Sequence, residues 1–266
     1  METNSSNSQN SVIQPPSVKK DDTNGKTIII TKETTRRLLK DVREMIKQPL
    51  DTHGIYYKHD DTNILKGYVY ICGPSDSQYF AGNYFFEVEY PYDYPHRPPK
   101  VTFKTNDGET RFHPNMYRSG KMCLSILNTW RGDQWTGCQS IRTVLLTIVS
   151  IMDNMPLLHE PGFTEKHRDV FQYNKVIYYK NFDFTINQIL LDNIKGGDKC
   201  VHPFNELFKN ELKSEFLKNK HAIRAILEEK KKEDTVTITT GIYSLNIMVN
   251  WKKTYNEFME LLWDKF

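Results

Sequence analysis

The chain has 266 residues, a formal charge of +3, and 38% hydrophobic and 26% charged residues, which fits one globular domain of ordinary size plus a substantial extension. So small a net charge does not by itself argue for nucleic-acid binding, and Lys230-Lys231-Lys232 is flanked by acids (Glu228, Glu229, Glu233, Asp234), as at a solvated helix end. No apolar run reaches the ~20 residues that span a bilayer, the first residues lack the apolar core of a secretory signal, and the four cysteines (Cys72, Cys123, Cys138, Cys200) have no paired spacing. Reduced thiols in a cytoplasmic and/or nuclear setting are the expectation.

Residues 1–30, rich in Asn, Ser, Gln and Pro, are expected to form a disordered tail. A helix follows, with Leu38, Leu39, Val42, Met45 and Ile46 at helical spacing, Arg36, Arg37, Lys40 and Arg43 on its outer side, and Pro49 as its stop. Four strands are expected next. Alternation marks Leu65-Gly67-Val69-Ile71, Phe86-Val88-Tyr90 and Val101-Phe103, with turn signals at Gly73-Pro74, Ala81-Gly82-Asn83 and Asn106-Asp107-Gly108. Short strands joined by brief turns predict an antiparallel meander.

Ile141, Val144, Leu145, Ile148 and Met152 predict a buried helix, and a further helix is expected over Arg168–Leu190 with Tyr173, Val176, Ile177 and Tyr178 inward. Beyond residue 193, two amphipathic helices are expected, at 203–232 and 245–266. The stripe Ile247, Trp251, Tyr255, Phe258, Leu262 on the second reads as core packing. The fold class is α+β. It divides into a tail (1–30), a core (31–192) and a helical C-terminal extension (193–266).

The chemistry concentrates in Phe112–Leu127, where the His113-Pro114-Asn115 turn precedes Cys123. A thiol attacks carbonyls as thiolate and needs a donor near the oxygen that becomes negative. An Asn115 amide eight positions upstream can supply one if Arg118-Ser119-Gly120-Lys121 folds back as a turn. The amide can equally hold the turn through backbone hydrogen bonds. His113 precedes a proline, which restricts it, so it receives no proton-transfer role. Cys72 and Cys138 read as ordinary core or loop thiols. Cys200-Val201-His202 offers two metal-ligand types with no second pair to close a tetrahedron.

The string HPNMYRSGKMCLSIL, with Trp135-Thr136 and an apolar helix after it, resembles the active-site segment of ubiquitin-conjugating enzymes. Tyr90-Pro91 through Phe103 resembles their proline-rich stretch, and Ala81–Phe86 their glycine-turn-to-strand segment. The ordered series runs from about Lys32 to Asp192. The longer 128–134 loop, the Glu-Pro-Gly-Phe segment at 160–163 and the long C-terminal region most resemble the extended, Use1-type subgroup.

This resemblance implies the ubiquitin-conjugating fold, with Cys123 as thioester nucleophile and Asn115 as oxyanion or turn residue. It also implies that Tyr117 and Glu160 position the acceptor lysine, with His159 the competitor for Glu160. Arg36, Arg37 and Lys40 resemble the face that meets the activating enzyme. His96, Arg97 and Trp135 resemble the ligase-binding face. There the chain departs from the common pattern, with His96 in place of an aromatic and Gly137-Cys138 in place of Pro-Ala.

The implied partners are ubiquitin or a ubiquitin-like protein, the activating enzyme, a ligase and a protein substrate, with neither nucleic acid nor membrane. No metal or organic cofactor is implied, ATP being consumed by the activating enzyme. Two other functions compete. A catalytically idle adaptor of the same fold would bind ubiquitin or ligases without chemistry. A cysteine hydrolase would pair Cys123 with a histidine base, and no catalytic signature surrounds any other histidine.

Overall fold

The computed structural model describes residues 19–21, 27–195 and 203–265. Strands β1 (Lys19–Asp21) and β2 (Thr27–Ile29) pair antiparallel, with Lys19 opposite Ile29. Within the tail expected to be disordered, residues 19–21 and 27–29 are paired strands. The rest of that tail expectation, and the Cys200-Val201-His202 hint, lie outside the described residues.

Helix α1 (Lys32–Lys47) starts at Thr31, whose hydroxyl accepts from the Thr34 amide at 3.1 Å. Leu38, Val42 and Met45 are buried along it, while Leu39 and Ile46 face solvent. The inward stripe is thus narrower than the sequence pattern suggested. Four strands follow in meander order, paired antiparallel: β3 (Ile55–His59), β4 (Lys66–Cys72), β5 (Asn83–Glu89) and β6 (Lys100–Phe103). The register sets Tyr70 opposite Phe85, Val69 opposite Phe86, and Phe86 opposite Phe103.

Alternation predicts one buried face, yet Val69, Tyr70, Ile71 and Cys72 are all buried in succession. Both faces of this part of the sheet are covered. The second cover is the extension: α5 (Phe204–Leu207) and α6 (Lys209–Lys230) lie against the face carrying Tyr56, Lys58, Tyr68, Tyr70 and Phe85. The Phe204 ring centroid is 5.2 Å from that of Phe85 and 5.7 Å from that of Tyr68, and Phe208 is 6.0 Å from Tyr70. Tyr56 Oη donates to Glu215 at 2.5 Å, and Lys58 pairs with Glu211 at 2.7 Å. The helix expected at 203–232 is present, interrupted at Phe208. The triple lysine at its end pairs as expected, Lys230 with Glu233 and Lys231 with Glu228.

Helix α2 (Ile141–Ile151) buries Ile141, Val144, Leu145 and Ile148 completely. Helix α3 (Arg168–Lys180) runs into a wider π-turn at Asn181–Gln188 and then α4 (Ile189–Lys195), where a single helix to Leu190 was expected. The widening coincides with polar side chains bonded to the sheet. Tyr84 Oη donates to Asn181 Oδ1 at 2.7 Å, and Asn181 Nδ2 donates to the Phe80 carbonyl at 2.8 Å. Gly82 permits this approach, since a Cβ there would stand 1.9 Å from Asn181 Oδ1.

The last predicted helix needs correcting. Strands β7 (Val236–Thr239) and β8 (Asn246–Val249) form a hairpin, and only then does α7 (Trp251–Glu257) begin, capped by Asn250 and continuing as a π-turn at Phe258–Leu262. The β-branched alternation of Val236-Thr237-Ile238-Thr239 was the overlooked signal. Ile247, Trp251, Phe258 and Leu262 are nevertheless buried, so the stripe does pack inward, from a strand and a helix together.

Candidate active site

A short antiparallel pairing folds the His-Pro-Asn turn against the cysteine segment, with isolated bridges between His113 and Met116 and between Met116 and Met122. The turn between them closes as Gly120 N donates to the Tyr117 carbonyl at 2.8 Å, with Gly120 at φ +87°. Glycine takes that left-handed position without strain, and a Cβ there would meet the Phe103 carbonyl at 2.9 Å. Phe103 N in turn donates to the Gly120 carbonyl at 2.8 Å, tying the turn to the end of β6.

Asn115 and Cys123 then meet through two hydrogen bonds. Cys123 N donates to the Asn115 carbonyl at 2.9 Å, and Asn115 Nδ2 donates to the Cys123 carbonyl at 2.5 Å. One amide hydrogen is thus committed to the Cys123 backbone. The other meets no further acceptor among the described residues, and Oδ1 is buried without a partner. The nitrogen that holds the turn thus carries one further hydrogen.

His113 is fully buried, and its Nδ1 accepts from the Asn115 amide at 3.0 Å. Burial holds its pKa well below the ordinary histidine value, with repulsion from His159 adding to the effect. A neutral imidazole whose Nδ1 accepts from the Asn115 amide helps to hold the turn.

Cys123 is itself only 2% exposed. The exposed loop after it is tied back to its neighbours by Thr129, whose hydroxyl accepts from Leu124 N and donates to the Met122 carbonyl, both at 2.9 Å. Cys138 lies exposed on a loop. Cys72 is buried beneath the extension, where desolvation and then the Glu215 carboxylate push its thiol up to about 12.

Around the turn that precedes Cys123 the structure assembles a cluster that short-range patterns did not announce. The Arg111 guanidinium lies between two rings, 3.8 Å from the Tyr117 centroid and 4.2 Å from that of Tyr243, and donates to the Pro114 carbonyl. Tyr243 Oη donates to Glu160 Oε2. His159 is engaged elsewhere, with Nε2 at 2.8 Å from Asp153 Oδ2. Of the two acceptor-side candidates it is Glu160 that joins the cluster with Tyr117. Arg111 and Tyr243 were missed from sequence. Arg111 adjoins the turn motif and offered a weak hint, whereas Tyr243 lies 120 positions beyond Cys123 and offered none.

The expected partner surfaces divide. Arg36, Lys40, His96 and Arg97 are exposed. Arg37 is not a free surface cation. It pairs with Asp41 at 2.9 Å and donates to the Gly137 and Gln139 carbonyls, the latter at 2.5 Å. Trp135 is buried, and its Nε1 donates to the Pro95 carbonyl at 2.8 Å. These two side chains tie the candidate partner-binding loop to the rest of the chain, each through a polar partner within it.

A family model for ubiquitin-conjugating enzymes matches residues 37–186. The chain is 37% identical over 170 residues to ubiquitin-conjugating enzyme E2 Z of Homo sapiens, covering 63% of this chain and 46% of that protein. It is 29% identical over 180 residues to ubiquitin-conjugating enzyme E2 of African swine fever virus (isolate Pig/Kenya/KEN-50/1950), covering 66% of this chain and 78% of that one. The solved structure of human ubiquitin-conjugating enzyme E2 G1 aligns with a TM-score of 0.40 and 28% identity, covering 46% of this chain and 96% of that chain. With its meander, its His-Pro-Asn turn and its cysteine, the chain belongs to the ubiquitin-conjugating enzyme family. It spans about half the length of the E2 Z relatives it matches.

Proposed function

We propose that this chain carries ubiquitin, or a ubiquitin-like protein, as a thioester on Cys123 and passes it to a lysine amine. The thiolate first takes the acyl group from an activating enzyme. The unprotonated amine nitrogen then attacks the thioester carbonyl, the C–N bond forms, the C–S bond breaks with the thiolate leaving, and the nitrogen gives up its proton to solvent. The observation that carries this reading is the hydrogen bond of the Asn115 side-chain amide to the Cys123 backbone, which ties a potential oxyanion donor to the cysteine's own residue.

A free lysine amine has a pKa of ~10.4 and is almost wholly protonated at neutral pH. A carboxylate at Glu160 and an aromatic at Tyr117 suit an acceptor site that orients the amine. The exposed Arg36 and Lys40 support contact with the activating enzyme, and His96 and Arg97 contact with a ligase. No described helix is long and apolar enough to cross a membrane. Cytoplasmic or nuclear placement is part of the same reading.

The near-complete burial of Cys123 favours the adaptor as a second reading. Single-turnover discharge separates the two. The carrier reading expects wild type to charge and to discharge onto free lysine, and Asn115→Ala to charge equally but discharge on the order of a hundredfold more slowly. Absence of any charging favours the adaptor. Equal loss of both steps assigns Asn115 to folding alone.

A further inference from the structure

The hairpin loop of the extension holds Tyr243 in an unusual backbone state. Tyr243 and Ser244 have φ of +58° and +50°, the left-handed region that residues with a Cβ rarely occupy, still less in succession. Such strain persists where surrounding contacts over-determine it, and here they reach the loop from the core. Asp169 accepts from Ile242 N at 2.7 Å, and Arg118 donates to the Tyr243 carbonyl at 2.9 Å. The ring packs edge-on against Tyr173 at 5.8 Å between centroids.

Held this way, the side chain does two things. Its face stacks on Arg111, whose other face lies on Tyr117 and whose guanidinium reaches the carbonyl of Pro114 in the catalytic turn. Its hydroxyl donates to one oxygen of Glu160. Burial, and then the bond to Glu160, push the phenol's pKa well upward, so it stays a neutral donor. The carboxylate's other oxygen has no hydrogen-bond partner among the described residues.

We propose that Tyr243 is a positioning residue of the acceptor site, by which the C-terminal extension orients Glu160 and, through Arg111, Tyr117 for an incoming lysine ammonium. This rests on the carrier reading above. The extension is then part of the catalytic apparatus as well as a cover for the sheet.

The test is single-turnover discharge of the Cys123 thioester across a range of free lysine concentrations. It compares wild type, Tyr243→Phe, Glu160→Gln and the double variant, with charging recorded for each. Tyr243→Phe keeps the stack on Arg111 and removes only the hydroxyl. The lysine concentration for half-maximal discharge should rise about tenfold, the scale of one hydrogen bond to a charged group. Charging and the rate at saturating lysine should not change.

The double variant should be no worse than Glu160→Gln, since the hydroxyl acts only through that carboxylate. Wild-type lysine dependence in Tyr243→Phe, additive losses in the double variant, or parallel loss of charging and discharge would each overturn the proposal while leaving the carrier reading intact. A wild type that no activating enzyme charges would remove the carrier reading and this proposal with it.

Discussion

The His-Pro-Asn turn and the extension's hairpin loop meet at Arg111, but they are built in opposite ways. The turn is made from bonds between near neighbours: Asn115 reaches Cys123 across eight positions, and Gly120 closes on Tyr117 across three. The loop is made from distant ones, with Tyr243 bonded to Glu160 across 83 positions and held by Arg118 across 125. The first kind of structure is encoded by spacing and turn chemistry and survives in any chain that keeps the motif. The second depends on core residues far away in sequence, Asp169 and Arg118 at the loop itself and Tyr179 and Phe182 against Trp251 beyond it. The packing of α5 and α6 on the sheet fastens the extension at a separate place.

The largest expected effect tests that fastening. Phe208 is fully buried against Tyr70 and Phe85. Phe208→Ala should lower unfolding stability by about 3–5 kcal/mol, the usual cost of truncating a buried phenylalanine. Denaturant unfolding followed by tryptophan fluorescence reads it. A loss below about 1 kcal/mol, the range of an ordinary surface change, would show the extension to be loosely attached and break the comparison.

Thiol reactivity comes next, measured in a Cys200→Ser background. Exposed Cys138 should alkylate first, and Cys123, only 2% exposed, at least about tenfold more slowly. Cys72 should be slowest, being buried beneath the extension with its thiol pushed up to about 12. Mass mapping against time gives the order. Release of Cys72 in Phe208→Ala, with Cys123 unchanged, would sharpen the distinction between the two regions.

The smallest effect is on pH. Burial keeps His113 and His59 neutral in the folded chain, with folded pKa values below the ordinary one. Below about pH 6.5 the unfolded chain takes up protons that the folded chain does not. Their stabilisation is therefore fully present above that pH and is lost as pH falls. Tm should drop by about 2–4 °C for each kcal/mol lost between pH 7.5 and 5.5. A flat Tm over that window would mean that one or both histidines charge inside the fold.

This contrast also explains what could be read before the fold was seen. The α1 stripe, the meander and the Asn115–Cys123 contact each depend on residues within one or two turns of chain, and periodicity and spacing reveal them. The second cover on the sheet is visible only as an anomaly, the unbroken buried run Val69–Cys72, whose cause lies past residue 203. The hairpin at 236–249 was hidden because Ile247 and Trp251 also satisfy a helical stripe, and one buried set served two periods. The identity of residue 37 or 135 as surface or interior could not be read from its type. Arg37 and Trp135 take partners about 100 and 40 positions away.

The most direct test of the account exchanges the nucleophilic atom. With an activating enzyme, ATP and ubiquitin, wild type should gain a ubiquitin-sized adduct that thiol reductant removes. Cys123→Ser should give an adduct that resists reductant and yields to alkali, as an oxygen ester does, and Cys123→Ala should give none. An adduct that forms regardless of residue 123, or that keeps its sensitivity to reductant in Cys123→Ser, would contradict the assignment of Cys123 as the acyl carrier.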